Sequence, residues 1–262
     1  IGTERSKGTK IFSLVGKVNN TGLVEVPMGM SLADIIYKIG GGISGKKGLK
    51  GVRTGGPSGG IIPAQSLDTP VDFDELARLG SMMGSGSIIV IDEDTCAVDL
   101  ARYFVDFLCS ESCGKCLPCR EGLKRMREIL DAIKSGQGKK SDIQTLQDIA
   151  ELMKEASLCA LGRTAVNPVL STILHFREEY DAHIGERRCP ALSCKSLVKY
   201  SIDPGICIAC DLCQENCPQG AIYKSGEGFQ VIDQSKCIRC GICFEICPKK
   251  VRAIVKESPG RA

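Results

Sequence analysis

The segment IDPGICIACDLCQENCP spans Ile202–Pro218, and a second segment, IDQSKCIRCGICFEICP, spans Ile232–Pro248. The two segments align with a constant offset of 30 residues, and each contains four cysteines with the spacing C-x2-C-x2-C-x3-C-P. A constant offset over this length indicates that one structural unit has been duplicated. The pair therefore predicts a repeated, cysteine-liganded domain over residues 202–262.

The spacing within each segment is typical of proteins that bind two [4Fe–4S] clusters, as bacterial two-cluster ferredoxins do. A tight loop supplies three thiolates to a cubane cluster, and the fourth cysteine of each run ligates the other cluster. The predicted ligands of one cluster are Cys207, Cys210, Cys213 and Cys247, and those of the second are Cys237, Cys240, Cys243 and Cys217. Zinc is the alternative metal that such thiol groups leave open.

A further group of cysteines, Cys113, Cys116 and Cys119, lies within FLCSESCGKCLPCREGLKRM at Phe107–Met126. Three thiols at intervals of three residues occupy three corners of a cubane, so a fourth ligand is required. Cys159 lies 40 residues after Cys119, in ASLCALG, and is the best-placed candidate because a helical bundle folds it back. Zinc also accepts four thiolates, so this spacing alone is less specific than the repeat.

The residues before the repeat divide into regions of different periodicity. Residues 1–93 alternate apolar and polar residues between glycine turns and include a helix with Ser31 as its N-cap, which predicts a small α+β module. Residues 94–186 predict four amphipathic helices with short connections, and therefore a helical bundle. The glycine-rich stretch Gly40–Lys47 approximates a phosphate-binding motif, but it follows a helix and leads towards a strand, so turn chemistry is the better interpretation.

The junction between the bundle and the repeat, residues 187–201, contains Cys189 and Cys194, and His183 precedes it. Two thiolates and an imidazole suit a structural zinc ion, and Cys96, at the start of the first bundle helix, is the candidate fourth ligand. The alternative is that these cysteines are reduced packing residues and that His183 is a surface residue stabilised by the end of a helix.

The composition restricts the functional class. Sixteen cysteines in 262 residues, without a cleavable leader, favour metal ligation in a reducing, cytoplasmic compartment over a disulfide scaffold. A formal net charge of +3 without a basic stripe argues against nucleic-acid binding, and no apolar run reaches the roughly 18 residues of a membrane span. The cysteine and histidine outside the predicted sites are Cys109, interpreted as a buried thiol, and His175, interpreted as a packing residue in mid-helix.

The motifs ESCGKCLPCREG and SLCALG resemble those of the flavin-bearing, NADH-oxidising subunit of respiratory complex I. The resemblance implies that Cys113, Cys116, Cys119 and Cys159 hold a [4Fe–4S] cluster that accepts electrons from flavin. It also implies that the first module, with GTKIFSLVGKV, is a ubiquitin-like, soluble-ligand-binding β-grasp domain. The segment CPALSCKSLVKYSIDPGICIACDLC is instead similar to the homologous subunit of NAD-linked, electron-bifurcating iron-only hydrogenases.

In that family a flavin and NADH domain would precede residue 1. FMN and NAD(H) are therefore expected in a longer protein and not in this segment. No catalytic residue is predicted here, because no nucleophile or paired carboxylate stands out.

The expected fold class is α+β multidomain, with a β-grasp module, a four-helix bundle with one [4Fe–4S] cluster, and a ferredoxin-like domain with two. The expected function is single-electron transfer in an NAD-linked bifurcating hydrogenase, with Zn²⁺ at the junction. The resemblance implies a hydrogenase catalytic subunit, a small [2Fe–2S] subunit and soluble ferredoxin as partners. The alternatives are an NAD-linked formate dehydrogenase or other bifurcating oxidoreductase, and, in another class, a structural zinc and interaction domain.

Overall fold

A computed structural model describes residues 1–45 and 47–260. The strands are β1 (Thr9–Gly16), β2 (Gly22–Pro27), β3 (Leu49–Thr54), β4 (Ile61–Pro63), β5 (Ser87–Asp92), β6 (Lys199–Ile202), β7 (Ile222–Lys224), β8 (Gln230–Ile232) and β9 (Ile254–Glu257). The α-helices are α1 (Leu32–Asp34), α2 (Phe73–Arg78), α3 (Ala97–Glu111), α4 (Leu117–Lys134), α5 (Asp142–Ala156), α6 (Ala160–Thr164), α7 (Asn167–His175), α8 (Arg177–Asp181), α9 (Leu212–Glu215) and α10 (Ile242–Ile246). Two π-helical turns, Ile35–Ile39 and Ala182–Glu186, continue α1 and α8. Lys46 of the glycine-rich motif and the last two residues of the predicted domain 202–262 lie outside the described residues.

The first module is a mixed five-stranded sheet with the order β2-β1-β5-β3-β4. Its first and last strands, β1 and β5, pair in parallel, and the other neighbours are antiparallel. One face carries the buried side chains of Phe12, Leu14 and Val52, which share a core with α1 and the π-helical turn that follows it. Ser31 caps α1 as predicted, because its hydroxyl accepts a hydrogen bond of 3.0 Å from the Asp34 amide.

The second face of the sheet packs against the helical region. Ile61 and Ile91 of the sheet form one buried cluster with Ala97 of α3 and with Phe176. The Ile61 amide donates to the Ser171 hydroxyl of α7 at 3.0 Å, across this interface. The sheet and the helices are therefore held together by both apolar contact and hydrogen bonding.

Arg53 of β3 lies buried in the same interface. Its guanidinium stacks 3.3 Å from the centroid of the Phe104 ring and donates to the carbonyl oxygens of Pro57 and Gly59. Burial lowers the pKa of Arg53 to about 9, because a desolvated cation is disfavoured. The stacking compensates part of this cost through the negative face of the aromatic ring.

The long helices α3, α4, α5 and α7 pack around one apolar core, which agrees with the four predicted helical segments. The fourth segment is shorter than predicted, because the chain leaves helical geometry at Phe176 (φ −136°, ψ 40°) and resumes as α8. His175 is therefore the last residue of α7 and does not lie in mid-helix, which corrects the prediction. The break allows the Phe176 side chain to enter the apolar cluster beneath the sheet. The stability gained by burying this side chain outweighs the stability lost with one turn of helix.

The repeated unit folds as two antiparallel strand pairs, β6 with β9 and β7 with β8. The helices α9 and α10 follow its two cysteine loops, and a small core forms from Tyr200, Ile222, Ile232 and Ile254. The first strand pair joins the two ends of the unit, since Ile202 pairs with Ile254. Among the described residues, none of the helices is both long enough and apolar enough to cross a membrane.

Candidate metal and cluster sites

The two cysteine loops of the repeated unit curl through left-handed backbone conformations. In the first loop Ala209 and Asp211 have φ values of 51° and 62°, and in the second Arg239 and Gly241 have φ values of 57° and 84°. Side chains disfavour this region, so its recurrence at equivalent positions indicates that the loop geometry is required. The curl allows three cysteines of each loop to face one enclosed volume.

The structure brings each predicted ligand set of the repeat together around its own cavity. One cavity, of about 20 Å³, is lined by Cys237, Cys240, Cys243 and Cys217. The other, also of about 20 Å³, is lined by Cys207, Cys210, Cys213 and Cys247. Each cavity thus takes three thiols from its own loop and one from the other loop, and the remaining lining side chains are mainly apolar. Four thiols around an apolar cavity suit a cubane cluster.

Two of the thiols in these cavities are shifted towards the protonated form. Burial raises the pKa of Cys243 to about 11, and it also raises the pKa of Cys213. Cluster assembly must therefore displace protons from these two thiols, which couples metal uptake to pH. Cys217 accepts a hydrogen bond of 3.2 Å from the Ala221 amide.

The bundle site is built at the ends of helices. Cys116 is the N-cap of α4, Cys119 lies in the first turn of α4, and Cys159 is the N-cap of α6. The two helices meet closely, since a Cβ atom on Gly162 of α6 would lie only 3.1 Å from the Cys119 Cβ. The structure therefore folds Cys159 back towards Cys119, as the sequence predicted. Cys113 lies in the exposed loop before α4.

Two cysteines of the bundle site differ in the direction of their pKa shift. The pKa of Cys116 is lowered, first by a backbone hydrogen bond from Leu158 and then by one from Cys119. Burial raises the pKa of Cys119, although a hydrogen bond from Ser112 opposes this effect. The N-terminus of α4, an 18-residue helix, adds a partial positive charge beside Cys116. Cys113 and Cys159 are exposed, so one side of this site opens to the surface.

A third group lies buried at the start of the bundle and unites residues that are far apart in sequence. The ligand-type atoms of Cys96, His183, Cys189 and Cys194 all lie within 4.8 Å of one another. The His183 Nε2 atom is 3.5 Å from the Cys96 Sγ and 3.3 Å from the Cys194 Sγ. The two sulfur atoms are 3.7 Å apart. His183 Nδ1 lies 2.6 Å from the Glu179 carbonyl oxygen and donates to it, so Nε2 is the ring nitrogen that faces the thiols.

This geometry fits a tetrahedral zinc ion. Zinc–sulfur bonds of about 2.3 Å and zinc–nitrogen bonds of about 2.0 Å place the ligand atoms of a tetrahedron roughly 3.5–3.8 Å apart. The observed separations of 3.5, 3.3 and 3.7 Å agree with these edges. The interpretation of His183 as a surface residue is wrong, because His183 is completely buried.

The ionisation of these residues also favours a cation among them. Burial opposes protonation of His183, but hydrogen bonds and negative charge from Cys189 and Cys96 outweigh burial and raise its pKa to about 10. The hydrogen bond between Cys189 and Cys194 lowers the pKa of the first thiol and raises that of the second. Without a metal, the group therefore holds a proton that a divalent cation would replace.

The sequence did not reveal the charged pair that supports this group. The Glu179 carboxylate accepts a hydrogen bond of 2.9 Å from the Ala97 amide at the start of α3, and it pairs with Lys50 of β3. The Lys50 ammonium also donates to the Thr95 carbonyl oxygen and lies 5.2 Å from the centroid of the Phe176 ring. Lys50 and Glu179 are 129 residues apart, so no local pattern marks their pairing.

Two other predicted features have simpler roles. Cys109 is half-buried against the bundle core, and burial raises its pKa. The glycines at Gly41, Gly42 and Gly45 have φ values of 69°, 82° and 86°, and they connect the π-helical turn to β3. These observations agree with a packed thiol and with turn chemistry.

Comparison with known families matches three regions of the chain. Residues 99–183 match the NADH-ubiquinone oxidoreductase-F iron–sulfur binding region, residues 199–248 match a 4Fe-4S dicluster domain, and residues 11–62 match the SLBB domain. The matched regions contain every cysteine assigned to the bundle site and to the two cavities of the repeat.

Individual proteins are similar to this chain over most of its length. The chain is 50% identical over 218 residues to the NADP-reducing hydrogenase subunit HndC of Solidesulfovibrio fructosivorans, covering 83% of the chain and 44% of that protein. It is 43% identical over 191 residues to the second F-type subunit of the NADH-quinone oxidoreductase of Rhizobium meliloti, covering 72% of the chain and 45% of that protein. These matches confirm the resemblance to complex I-type and hydrogenase subunits. The chain spans less than half the length of either relative.

A solved structure gives the same relationship. The crystal structure of NAD+-reducing [NiFe]-hydrogenase in the H2-reduced state aligns with a TM-score of 0.62 at 32% identity, covering 70% of this chain and 30% of that one. The air-oxidized state of NAD+-reducing [NiFe]-hydrogenase aligns with a TM-score of 0.63 at 32% identity, covering 70% of this chain and 31% of that one.

Proposed function

We propose that this chain is the electron-transfer segment of an NAD(H)-linked oxidoreductase, most specifically an electron-bifurcating hydrogenase. The observation that supports this proposal most strongly is the lining of the two cavities. Each cavity is lined by three thiols of one loop and one thiol of the other loop. This arrangement suits two adjacent one-electron carriers. The similarity to HndC supports the hydrogenase assignment over a formate dehydrogenase.

The proposed assignment uses four groups of residues in four regions. The β-grasp module is assigned to residues 1–93, the bundle to 94–186, the junction to 187–201 and the ferredoxin-like domain to 202–262. Cys113, Cys116, Cys119 and Cys159 hold one [4Fe–4S] cluster, and the two cavities of the repeat hold one each. Cys96, His183, Cys189 and Cys194 hold a zinc ion that joins the bundle to the ferredoxin-like domain.

The bundle site is the proposed contact with the flavin. Cys113 and Cys159 are exposed, so the bundle site is accessible to a flavin-bearing domain outside this segment. Bound clusters supply one-electron chemistry, whereas FMN and NAD(H), in the complete protein, supply the two-electron step. The proposed partners of the ferredoxin-like domain are a hydrogenase catalytic subunit, a small [2Fe–2S] subunit and soluble ferredoxin, in the cytoplasm.

Metal analysis of anaerobically purified protein tests this assignment. Three cubanes give about 12 iron and about 12 sulfide per chain, and the Cys3His group gives about one zinc. Zinc without iron would contradict electron transfer and favour a structural zinc and interaction domain. In the purified complex, reduction of NAD by hydrogen and not by formate is the expected result, and the reverse would favour the formate dehydrogenase.

A further inference from the structure

The duplication provides an internal comparison between the two cavities. With the offset of 30 residues, Tyr200 is equivalent to Gln230, and Asp211 is equivalent to Gly241. Tyr200 lines the cavity of Cys237, and Gln230 lines the cavity of Cys207. Each cavity thus receives one large side chain from an equivalent strand, but the two side chains differ in chemistry.

The residue that faces each of these side chains also differs: Gly241 faces Tyr200, and Asp211 contacts Gln230. A Cβ atom on Gly241 would lie 2.8 Å from the Tyr200 hydroxyl, so the phenol leaves room only for glycine. In the other cavity Gln230 is 1% exposed, and its Nε2 atom donates to the Asp211 carboxylate at 2.5 Å. Asp211 keeps a φ of 62° although it bears a side chain. The aromatic–glycine pair that lines one cavity is therefore replaced, at the other, by an amide that lines the cavity and a carboxylate held against that amide.

This replacement changes the charge near the site and not the size of the cavity. Each cavity measures about 20 Å³, so the space that the thiols enclose is nearly equal. Reduction adds one negative charge to a cluster, and a nearby carboxylate opposes that charge. Among the acidic residues of the loops, Glu215 has its equivalent in Glu245, so only Asp211 lacks an acidic counterpart within the two loops.

The basic residues near the two loops differ as well. Arg239 of the second loop replaces Ala209 of the first, which adds a positive charge beside Cys240. Asp211 is half-buried and fixed against a buried amide, and Arg239 is half-buried as well, so water and salt screen both charges less than exposed ones. Both charges favour reduction of the cluster bound by Cys237 over reduction of the other. The cations that follow Cys247 are exposed; they are Lys249, Lys250 and Arg252.

We propose that Asp211, held by Gln230, lowers the reduction potential of the cluster bound by Cys207, Cys210, Cys213 and Cys247 below that of its neighbour. A single electron entering the domain then rests on the cluster bound by Cys237, Cys240, Cys243 and Cys217. This inference deepens the proposed function and rests on the assignment of two clusters to the repeat.

A redox titration followed by electron paramagnetic resonance tests the inference on the complete protein, purified anaerobically. The Asp211→Asn variant removes the charge, keeps a hydrogen-bond acceptor for Gln230, and suits the left-handed backbone. We expect the lower of the two waves of this domain to move to a more positive potential while the higher wave stays in place. Asp211→Gly, which copies the other loop, should move the same wave in the same direction. Glu227→Gln, in the exposed turn after β7, is the matched control and should move neither wave.

The possible results separate this inference from the proposed function. Unmoved waves, equal movement of both waves, or movement of the higher wave alone would each overturn the inference, provided that the iron content is that of the wild type. Absence of iron from the repeat in the wild-type protein would overturn both this inference and the proposed function.

Discussion

At the scale of single residues, Glu179 contacts three separate elements near the predicted zinc group. Its carboxylate contacts Lys50 and the Ala97 amide, and its carbonyl oxygen accepts from His183 Nδ1. The Lys50 and Glu179 side chains are only 10% and 9% exposed, so the ion pair is shielded from water. Glu179 therefore fixes both the helix that begins after Cys96 and the ring that faces it.

The Glu179→Gln variant tests how much this ion pair contributes to the free energy of unfolding. It leaves the Lys50 ammonium buried without its carboxylate, and loss of one partner from a buried pair costs roughly 3–5 kcal/mol. We expect a loss of this size in the free energy of unfolding, measured by anaerobic denaturant titration. Asp181→Asn is the control, because Asp181 pairs with Arg177 on the surface, where a loss of at most about 1 kcal/mol is expected.

The double variant Lys50→Met/Glu179→Gln supplies the second test. Removing both charges eliminates the unpaired ammonium, so most of the lost stability should return. Equal destabilisation by the single and double variants would show that the ion pair is not the source of the effect.

At the scale of elements, the short helix α6 determines where Cys159 lies. The Gly162 Cα packs so closely on the neighbouring segment that a Cβ atom would lie 2.5 Å from the Ser157 Oγ and 3.1 Å from the Cys119 Cβ. Ser157 is itself buried, so it has little space to move. A glycine at this position therefore brings Cys159 and Cys119 to the same site.

The Gly162→Ala variant should separate the two helices. Overpacking costs typically about 1–3 kcal/mol, and here the displacement would act directly on two cluster ligands. We expect reduced iron retention and a lower thermal midpoint. Gly185→Ala is the matched control, because Gly185 also has helical geometry and a Cβ atom added there would have no neighbour within 4 Å. Full iron retention in Gly162→Ala would contradict the tight approach of α6.

Replacement of Cys159, the proposed fourth ligand of the bundle cluster, tests whether this cysteine binds iron or only packs in the bundle. Cys159→Ala should reduce the iron content from about 12 to about 8 per chain, because a cubane requires four thiolates. Cys109→Ala, which removes a half-buried thiol of the same bundle, should retain all of the iron. Equal iron contents in the two variants, measured by anaerobic metal analysis, would show that Cys159 is not a ligand.

At the scale of the whole molecule, the buried Cys3His group connects three regions. Cys96 begins the bundle, His183 ends it, and Cys194 lies in the junction. The next residues of the junction, Lys195 and Ser196, accept hydrogen bonds of 3.4 and 2.6 Å from Arg239 of the second cysteine loop. A metal at this group therefore positions the loop of the second cavity relative to the bundle.

Removal of the imidazole tests this connection. His183→Ala should reduce the zinc content from about one per chain to near zero, since zinc requires four ligands in a structural site. Amide hydrogen exchange should become faster in residues 187–201, while the iron content should stay unchanged. His175→Ala is the control because it replaces the other histidine of the chain. Equal zinc contents in the two variants would contradict the proposed zinc site.

Several of these features were predictable from sequence because their causes are local. The alternation of residues 10–28 predicted β1 and β2, and apolar residues at helical spacing predicted α3, α4 and α5. The 30-residue offset predicted which cysteines would share each cavity, since the crosswise pattern is part of the repeat. The predicted extent of the last bundle helix was wrong, because burial of Phe176 under the sheet interrupts an otherwise continuous helical pattern.

The sequence by itself determined the periodic elements, the duplication and the grouping of its closely spaced cysteines, because short-range spacing controls each of them. The sequence named Cys96 and His183 as candidate ligands but left a surface position for His183 open; the tertiary structure decided that His183 is buried against Cys96, and that Lys50 supports them through Glu179. It also decided that Asp211 contacts Gln230 and that Tyr200 excludes a side chain at Gly241. The physical reason is that buried charges and cavity walls are completed by residues from distant segments, and no local pattern records their pairing.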